Sequence, residues 1–359
     1  MYRVYCDDIL IHDPLAGDSD YLLFDPVITE EENKAASFTF TIYPNNVGYK
    51  AMQRFTSIIE VSRDGTLLFR GRIISDKQTW NNAHEVTCES EFAYLNDTII
   101  RPYKFTSTIK TTLRFFLNRH NEQVEQRRRI YLGTVSMPNP EDTQDFEADD
   151  YGSTMKQITD KLVSENGGYL RFRRYAGKNY LDYLSEITDE CGQEIRLGEN
   201  LLEFSAESKG EDVVSCLIPL GKKGEDGNRL TIESVNGGKD YIQDSVAMNQ
   251  YGAVFAVRQY DDIESASALL AKGRKELKEL TKGIQSISLT AADLSLANES
   301  EDPFRFLTNV NVVDEKHNVK GRFLITKKTT NLNSAADNKI TIGKEIKSIS
   351  RLIKNRSTQ

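Results

Sequence analysis

Ser37-Phe38-Thr39-Phe40-Thr41-Ile42-Tyr43 alternates strictly between apolar and polar residues. In an extended chain Phe38, Phe40 and Ile42 point one way, while Ser37, Thr39 and Thr41 point the other. That period of two marks a half-buried strand, and Pro44-Asn45-Asn46 ends it. Outward from it, Thr56–Ser62 and Thr66–Ser75 are β-rich runs around Arg63-Asp64-Gly65. Asp-Gly supplies the positive φ that a tight hairpin needs. His84–Glu91 alternates again, with Val86 and Cys88 on one face. Short strands divided by turn signals predict a β-barrel or sandwich over the first hundred residues.

The pattern changes after Asn96-Asp97. Thr108–His120 places Ile109, Leu113, Phe116 and Leu117 on one helical face, with Ser107 or Thr108 as the cap. Ser153–Glu165 reads as a second helix, capped by Ser153, with Met155, Ile158 and Leu162 inward; Asn166-Gly167-Gly168 stops it. Tyr169–Tyr175 and Tyr180–Leu184 flank the four-residue turn Ala176-Gly177-Lys178-Asn179 as a hairpin. Between the helices, Gly133–Asp150 is rich in Pro, Asn and acids and reads as an exposed, mobile loop. Arg101–Gly198 is thus an α+β insertion between two β regions.

Strands return at Leu201–Ala206 and Val213–Leu220. Gly221–Gly238 is glycine-rich and polar, with a short strand expected at Arg229–Ser234, and Tyr241–Val257 reads as irregular. Ile263–Leu280 is the longest helix, with Ile263, Ala266, Leu270, Leu277 and Leu280 on one stripe. Asp261-Asp262-Ile263-Glu264 opens it with acid at the positive end of the dipole. Lys272/Glu276 and Lys275/Glu279 are i,i+4 pairs on its exposed side. Ile284–Ala291, Asn309–Val313, Lys320–Thr330 and Lys339–Gly343 are the closing strands.

The 359 residues suffice for several domains with real cores, and 38% hydrophobic against 28% charged residues is a soluble globular mixture. A formal charge of −8 argues against general or sequence-specific nucleic-acid binding, which needs a basic footprint. No stretch approaches the ~20 apolar residues that span a bilayer, so no stable membrane insertion is expected. Met1–Asp8 carries acids where a secretion signal is apolar, so synthesis in the cytoplasm is expected. Cys6, Cys88, Cys191 and Cys216 lie far apart without a C-x-x-C pair and are expected to be reduced, partly buried thiols.

No chemistry-bearing pattern emerges. His12, His84, His120 and His317 lack the spacing of metal ligands. Cys191, in Glu190-Cys191-Gly192, is the least implausible nucleophile, but a turn cysteine explains it better. Glu141, Asp142, Asp145, Glu147, Asp149 and Asp150 form the densest acidic group, without the order of a calcium loop. Gly221-Lys222-Lys223-Gly224 and Gly237-Gly238-Lys239 do not match a phosphate loop and read as turns. Arg171-Phe172-Arg173-Arg174-Tyr175 interleaves basic and aromatic residues as single-strand binders do, yet alternation makes it an ordinary half-exposed strand. Arg127-Arg128-Arg129 reads as a solvated face. Catalytic, cofactor-binding and metal residues are therefore expected to be none, and the chain is expected not to be an enzyme.

Several segments, in order, resemble a known family. They are Leu68-Phe69-Arg70-Gly71-Arg72-Ile73, Thr87–Thr98, Gly167-Gly168-Tyr169-Leu170-Arg171, Tyr180-Leu181-Asp182-Tyr183, Ile218-Pro219-Leu220-Gly221, Asn236-Gly237-Gly238-Lys239-Asp240-Tyr241-Ile242 and Tyr251-Gly252. Together they resemble the tail-tip hub proteins of phages and prophages of Gram-positive bacteria, the structural module of tail-associated lysins and prophage tail endopeptidases. The resemblance implies a mainly β, α+β fold like the central hub of contractile tails. It divides the chain into a first β-barrel domain (1–98), an α+β domain (99–200), a second β-barrel domain (201–222 and 281–345), a small inserted domain with the long helix (223–280), and a C-terminal tail (346–359). That tail departs from members extended by a hydrolase or fibre: Ile346, Ile349 and Ile353 space for a short helix among basic residues, and no hydrolase domain fits there.

The resemblance implies a homotrimeric ring at the virion tail tip. The ring would meet a hexamer of the distal tail protein, with tape-measure and receptor-binding or fibre proteins as further partners, and would close or line the DNA channel until infection. The alternatives from other classes are a cell-wall hydrolase (a peptidoglycan endopeptidase) and a glycan-binding adhesin.

Overall fold

Phe38, Phe40 and Ile42 do turn to one side, and all three are buried in the core of an antiparallel sheet. The computed structural model describes residues 2–138, 140–208, 214–224, 227–281, 285–296, 302–314, 316, 319–334 and 337–342. The first strands are β1 (Tyr2–Cys6), β2 (Ile9–His12), β3 (Phe24–Glu31), β4 (Ser37–Ile42), β5 (Ile58–Arg63), β6 (Thr66–Gln78) and β7 (His84–Ser90). They pair in the order β3-β4-β7-β6-β5-β1-β2. Asp64 and Gly65 both take positive φ, 50° and 83°, and close the β5–β6 hairpin as a two-residue primed turn requires. At Gly71 the strands β6 and β7 approach so closely that a Cβ would stand 2.0 Å from the Glu89 carbonyl oxygen.

The middle region adds β8 (Ile99–Ile100), β9 (Tyr103–Thr108), α1 (Ile109–Asn121), β10 (Ile130–Ser136), β11 (Thr143–Ala148), β12 (Gly152–Ser153), α2 (Thr154–Ile158), α3 (Ser164–Asn166), β13 (Tyr169–Tyr175) and β14 (Lys178–Leu184). The Thr108 hydroxyl accepts the Thr111 N–H at 3.2 Å and starts α1; Ser153 does the same for α2 through Lys156. The expected second helix is continuous but interrupted by a π turn over Thr159–Val163. The Tyr183 hydroxyl sits 2.9 Å from the Leu162 carbonyl oxygen and 2.6 Å from that of Gly167, which ends the helix at φ 71°. β10 runs parallel to β14 and β13 antiparallel to it.

Two expectations are corrected here. The stretch 133–150 is not one mobile loop, because Phe146 buries against the α1 side and draws β11 onto β9. The turn of the β13–β14 hairpin is also tighter than expected. Ala176 and Gly177 alone turn the chain (φ 48° and 76°), and Lys178 and Asn179 already belong to β14.

β15 (Ile195–Arg196) and β16 (Leu201–Ser208) follow. The described residues between 205 and 287 then form a separate compact unit. It holds β17 (Cys216–Leu220), β18 (Ile242–Gln243), α4 (Ser245–Tyr251), β19 (Phe255–Gln259) and α5 (Ala266–Thr281). The sheet order is β18-β17-β19, with β19 parallel to β17. The expectation grouped Val213–Leu220 with the closing strands, but β17 finds its partners within this small unit. The segment expected to be irregular, Tyr241–Val257, contributes two strands and a helix. Arg229–Ser234 is not a strand: Ile232 buries and a 3-10 turn follows at Glu233–Val235.

α5 begins at Ala266, three residues beyond the expected start, because the Ile263 carbonyl is taken by the Lys222 N–H and Asp261 pairs with Arg229. Leu269, Gly273 and Leu277 form its buried stripe. A Cβ on Gly273 would stand 2.8 Å from Ile242 Cδ1 and 3.1 Å from Pro219 Cγ, so the glycine lets the helix close onto β17 and β18. Glu276 turns from the expected Lys272 to accept from Arg258 Nε at 2.7 Å and from the Tyr260 hydroxyl. The Glu279 side chain lies outside the described residues.

The closing strands are β20 (Gln285–Ala291), β21 (Asn309–Asp314), β22 (Val319–Asn331) and β23 (Lys339–Ile342). They pair as β16-β20-β23-β22, with β21 between β15 and β22. The 13-residue β22 serves three neighbours. Its first half pairs with β21, and its second half lies between β23 and β3, with Lys327–Asn331 against Glu31–Val27. The fold is therefore mainly β with several sheets and few helices. Neither β region closes into a barrel by backbone pairing among the described strands. The outer edge of β3, which would have to meet β2 for closure, is occupied by β22. The expected helix around Ile346, Ile349 and Ile353 lies outside the described residues.

Candidate functional site

The residues weighed for chemistry are mostly absorbed by structure. His12 is fully buried; its Nδ1 accepts the Leu23 N–H at 3.0 Å, and burial depresses its pKa to about 4. His120 is buried between the Thr98 hydroxyl (2.8 Å) and the Arg128 carbonyl (3.0 Å), and burial lowers its pKa as well. His84 bonds Asp76 beside the Tyr49 ring. His317 lies outside the described residues. The three described histidines thus sit in three separate environments. Among the described residues no group of His, Cys, Asp and Glu is arranged to hold a metal, and no helix is long and apolar enough to cross a membrane.

The cysteines are buried and unbridged. Burial pushes the Cys6 thiol up to about 11 and Cys88 higher still. Cys191 donates weakly to the Asp302 and Pro303 carbonyls at 3.7 and 3.6 Å, and burial raises its pKa too. A nucleophilic thiolate needs the opposite environment, exposed and electropositive. Cys216 packs 3.4 Å from Met248 Sδ. In the acidic group, Asp145 accepts from the Thr106 hydroxyl and Glu147 pairs with Lys104 at 2.7 Å, both across the β9–β11 ladder.

The basic-aromatic run on β13 is spent inside the protein. Arg171 Nε and Arg173 Nε meet one oxygen of Asp182 at 3.1 and 2.9 Å, and the Thr134 N–H meets the other at 2.7 Å. Burial opposes ionisation of Asp182, but these donors hold its pKa below the usual carboxylate range. Phe172 stacks on Phe92 at 5.5 Å. Arg174 crosses to Glu91, which is 2% exposed and also receives Arg70. Burial raises the Glu91 pKa against the pull of both guanidiniums. Arg72 makes a bidentate pair with Asp97 near the Phe55 and Tyr94 rings, and the Arg128 guanidinium also lies 5.3 Å from the Tyr94 ring centroid. Arg127 pairs with Glu125. These groups lock the first sheet to the α+β region.

Gly221 is a close-packing point, where a Cβ would stand 2.7 Å from the Ile263 carbonyl oxygen, and Lys222 pairs with Glu264. Gly237 and Gly238 turn the chain with φ 62° and 78°. Gly237 and Lys239 line a cavity of about 680 Å³ with Asn236, Tyr241, Ile242, Gln243, Asp244, Arg274 and Leu277. A smaller hollow of about 370 Å³ lies among Ile9, Leu10, Ala16, Tyr21 and Val47. Neither cavity is lined by Glu91 or Asp182.

What sequence reasoning missed is on the surface. Trp80, the only tryptophan, is 95% exposed on the β6–β7 connection. Its loop is fastened by Thr79 N–H to the Ala83 carbonyl at 2.8 Å and by the Asn82 N–H to Thr79. Phe255 and Val257 are half-exposed on β19, an end strand of its sheet. Exposed aromatics on fastened backbone suit contact with a partner. Trp80 was readable as a lone tryptophan beside two asparagines, but not its exposure.

No curated protein matches the sequence. Residues 189–353, somewhat under half of the chain, match the family model described as "Prophage endopeptidase tail". Among solved structures, the chain is similar to the 43 kDa tail protein of prophage MuSo2 from Shewanella oneidensis. The TM-score is 0.66 at 14% identity, with 95% of this chain and 96% of that one covered. A tail protein from Neisseria meningitidis MC58 gives 0.65 at 12% identity, over 96% and 97%. The prophage tail protein gp18 from Listeria monocytogenes EGD-e gives 0.60 at 13%, over 99% and 98%. Over nearly its whole length the chain thus has the fold of these prophage tail proteins, and its second half matches the prophage tail endopeptidase family.

Proposed function

We propose that the chain is the structural hub of a phage or prophage tail tip, assembled in the bacterial host cytoplasm and carried in the virion, and that it is not itself an enzyme. The observation that carries this reading is the end-to-end likeness to prophage tail proteins, which covers all of the chain's regions together. In this reading three chains form a ring, and the two β regions of each supply six similar modules. Those modules would face a hexameric distal tail protein and surround the DNA channel until infection, with tape-measure and fibre or receptor-binding proteins as further neighbours. The β3–β22 ladder joins the two β modules within each chain.

Mass photometry and negative-stain imaging of the purified chain test it. A trimeric ring that co-purifies with tail particles is expected; a stable monomer absent from particles would sink the proposal. Zymography on host cell wall separates it from the hydrolase that the family description names, and lysis by this chain alone would favour the enzyme. A second reading, a glycan-binding adhesin of the tail, is favoured by the exposed Trp80 ring, since aromatic faces stack on sugars; glycans that compete with adsorption would support it.

A further inference from the structure

We propose that the cavity between the Asn236–Tyr241 turn and α5 binds a carboxylate-bearing segment of a partner protein in extended form. The site is built by packing within the small unit. Gly273 lets α5 close onto Ile242 and Pro219, and the next residue, Arg274, lines the cavity. Opposite, the two positive-φ glycines reverse the chain and present Lys239, whose ammonium lies 5.6 Å from the Tyr241 ring centroid. Asn236 fastens this turn by donating to the carbonyls of Lys239 and Tyr241 at 3.1 and 2.9 Å. Leu277 and Ile242 give the cavity an apolar floor.

The charges select the occupant. Among the described residues no carboxylate lies within ion-pair distance of Arg274 or Lys239, although most of the other described arginines are paired. The one carboxylate lining the cavity, Asp244, is engaged in accepting the N–H groups of Val246 and Ala247 at 3.0 and 2.9 Å to cap α4. Two cations without a carboxylate partner among the described residues, around a partly apolar hollow, favour an anion attached to an apolar body. β18 gives the geometry for a peptide: it is an end strand of the β18-β17-β19 sheet, and Ile242 and Gln243 line the cavity. A segment laid along such an edge gains main-chain hydrogen bonds, while its side chains reach the hollow. A cavity of about 680 Å³ has room for several residues.

The test uses the full chain labelled with 15N-glycine, read by TROSY NMR, with Gly237, Gly238 and Gly273 assigned by triple-resonance spectra of the uniformly labelled chain. The probe is the capped peptide Glu-Val-Glu-Val-Glu, with Lys-Val-Lys-Val-Lys and N-acetylmuramic acid as comparison arms. Expected is a saturable shift of Gly237, Gly238 and Gly273 with the acidic peptide only. Arg274→Glu and Lys239→Glu should each weaken it by roughly tenfold or more, with the remaining glycine resonances unchanged as proof of folding. No shift at millimolar acidic peptide, an equal shift with the basic peptide, or an equal shift with the sugar acid would each overturn the proposal.

Discussion

Arg174 Nη1 stands 3.1 Å from Glu91 Oε2, although 83 positions separate the two residues. Glu91 begins the turn that leaves the first sheet, and Arg174 sits near the tip of the β13–β14 hairpin. Their pairing, with Arg70 on the same carboxylate, fixes the angle between the first sheet and the α+β region. Removing Glu91 takes away the carboxylate that the two arginines share, although Arg70 keeps Glu60 and Arg174 keeps Asn179. Glu91→Ala should destabilise by about 1–3 kcal/mol, read as a lower urea midpoint. Glu91→Gln should cost less, since it keeps a hydrogen-bond acceptor. An unchanged midpoint in both variants would mean the seam carries no stability.

Acid should weaken the fold through His12. Its folded pKa of about 4 lies below its ordinary value of 6.5, so the unfolded chain binds the proton more readily. Stability is then full above pH 6.5 and falls as pH drops towards 4. The loss approaches about 3 kcal/mol, since each pKa unit is worth 1.36 kcal/mol. Urea midpoints measured from pH 7.5 to 4 should show this slope, and His12→Gln should flatten it.

Gly71→Ala should be severe. The added Cβ would press on the Glu89 backbone carbonyl, which no rotamer change can move aside. Several kcal/mol of destabilisation or a loss of soluble protein is expected. Gly65→Ala meets no neighbouring atom and should cost far less, about 1 kcal/mol for its positive φ. Comparing their melting temperatures separates crowding from backbone strain.

Trp80 should report on assembly. In the isolated chain its emission should be that of a hydrated indole and fully accessible to iodide. Trp80→Ala should alter stability by no more than about 0.5 kcal/mol, as surface changes do. If the β6–β7 connection contacts a partner in the tail, that emission shifts to the blue on assembly and iodide quenching falls.

Thiol titration gives an independent check of burial. All four cysteines are buried, and Cys6, Cys88 and Cys191 have raised pKa values. A disulfide reagent at pH 8 should modify them slowly in the folded chain and all at once in guanidinium. Rapid native labelling of Cys191 would revive it as a reactive thiol.

Much of the fold was legible where one face of a local element is buried. β4 and β7 show period-two alternation, β5 and β6 are β-rich runs around Asp64-Gly65, and Thr108 and Ser153 mark their helix starts. β11 was not legible, because Phe146 is its single buried residue among polar neighbours. β9 did carry a signal in Tyr103 and Phe105, but the polar residues between them resemble a loop. The parallel pairing of β10 with β14 and the union of β22 with β3 depend on residues far apart in the chain, and no local pattern encodes them. The same holds for the cavity: Lys239 stood out in a glycine turn, whereas Arg274 comes beside it only through the close approach at Gly273. The basic run Arg171–Tyr175 was legible as a strand, but not its neutralisation, since Asp182 and Glu91 are brought to it by the tertiary fold.

The ladder between Val27–Glu31 and Lys327–Asn331 has a consequence for biosynthesis. The ribosome emits the two segments roughly 300 residues apart, a delay of roughly 15–60 s at bacterial elongation rates. Throughout that interval the nascent chain carries one unprotected strand edge, and a neighbour on the same polysome exposes the same edge. An open edge is a template for mispairing. Translation that stalls or terminates before residue 327 should therefore yield aggregates rather than a shortened, soluble product, and the arrival of β22 is the step that commits the newborn chain to its native form.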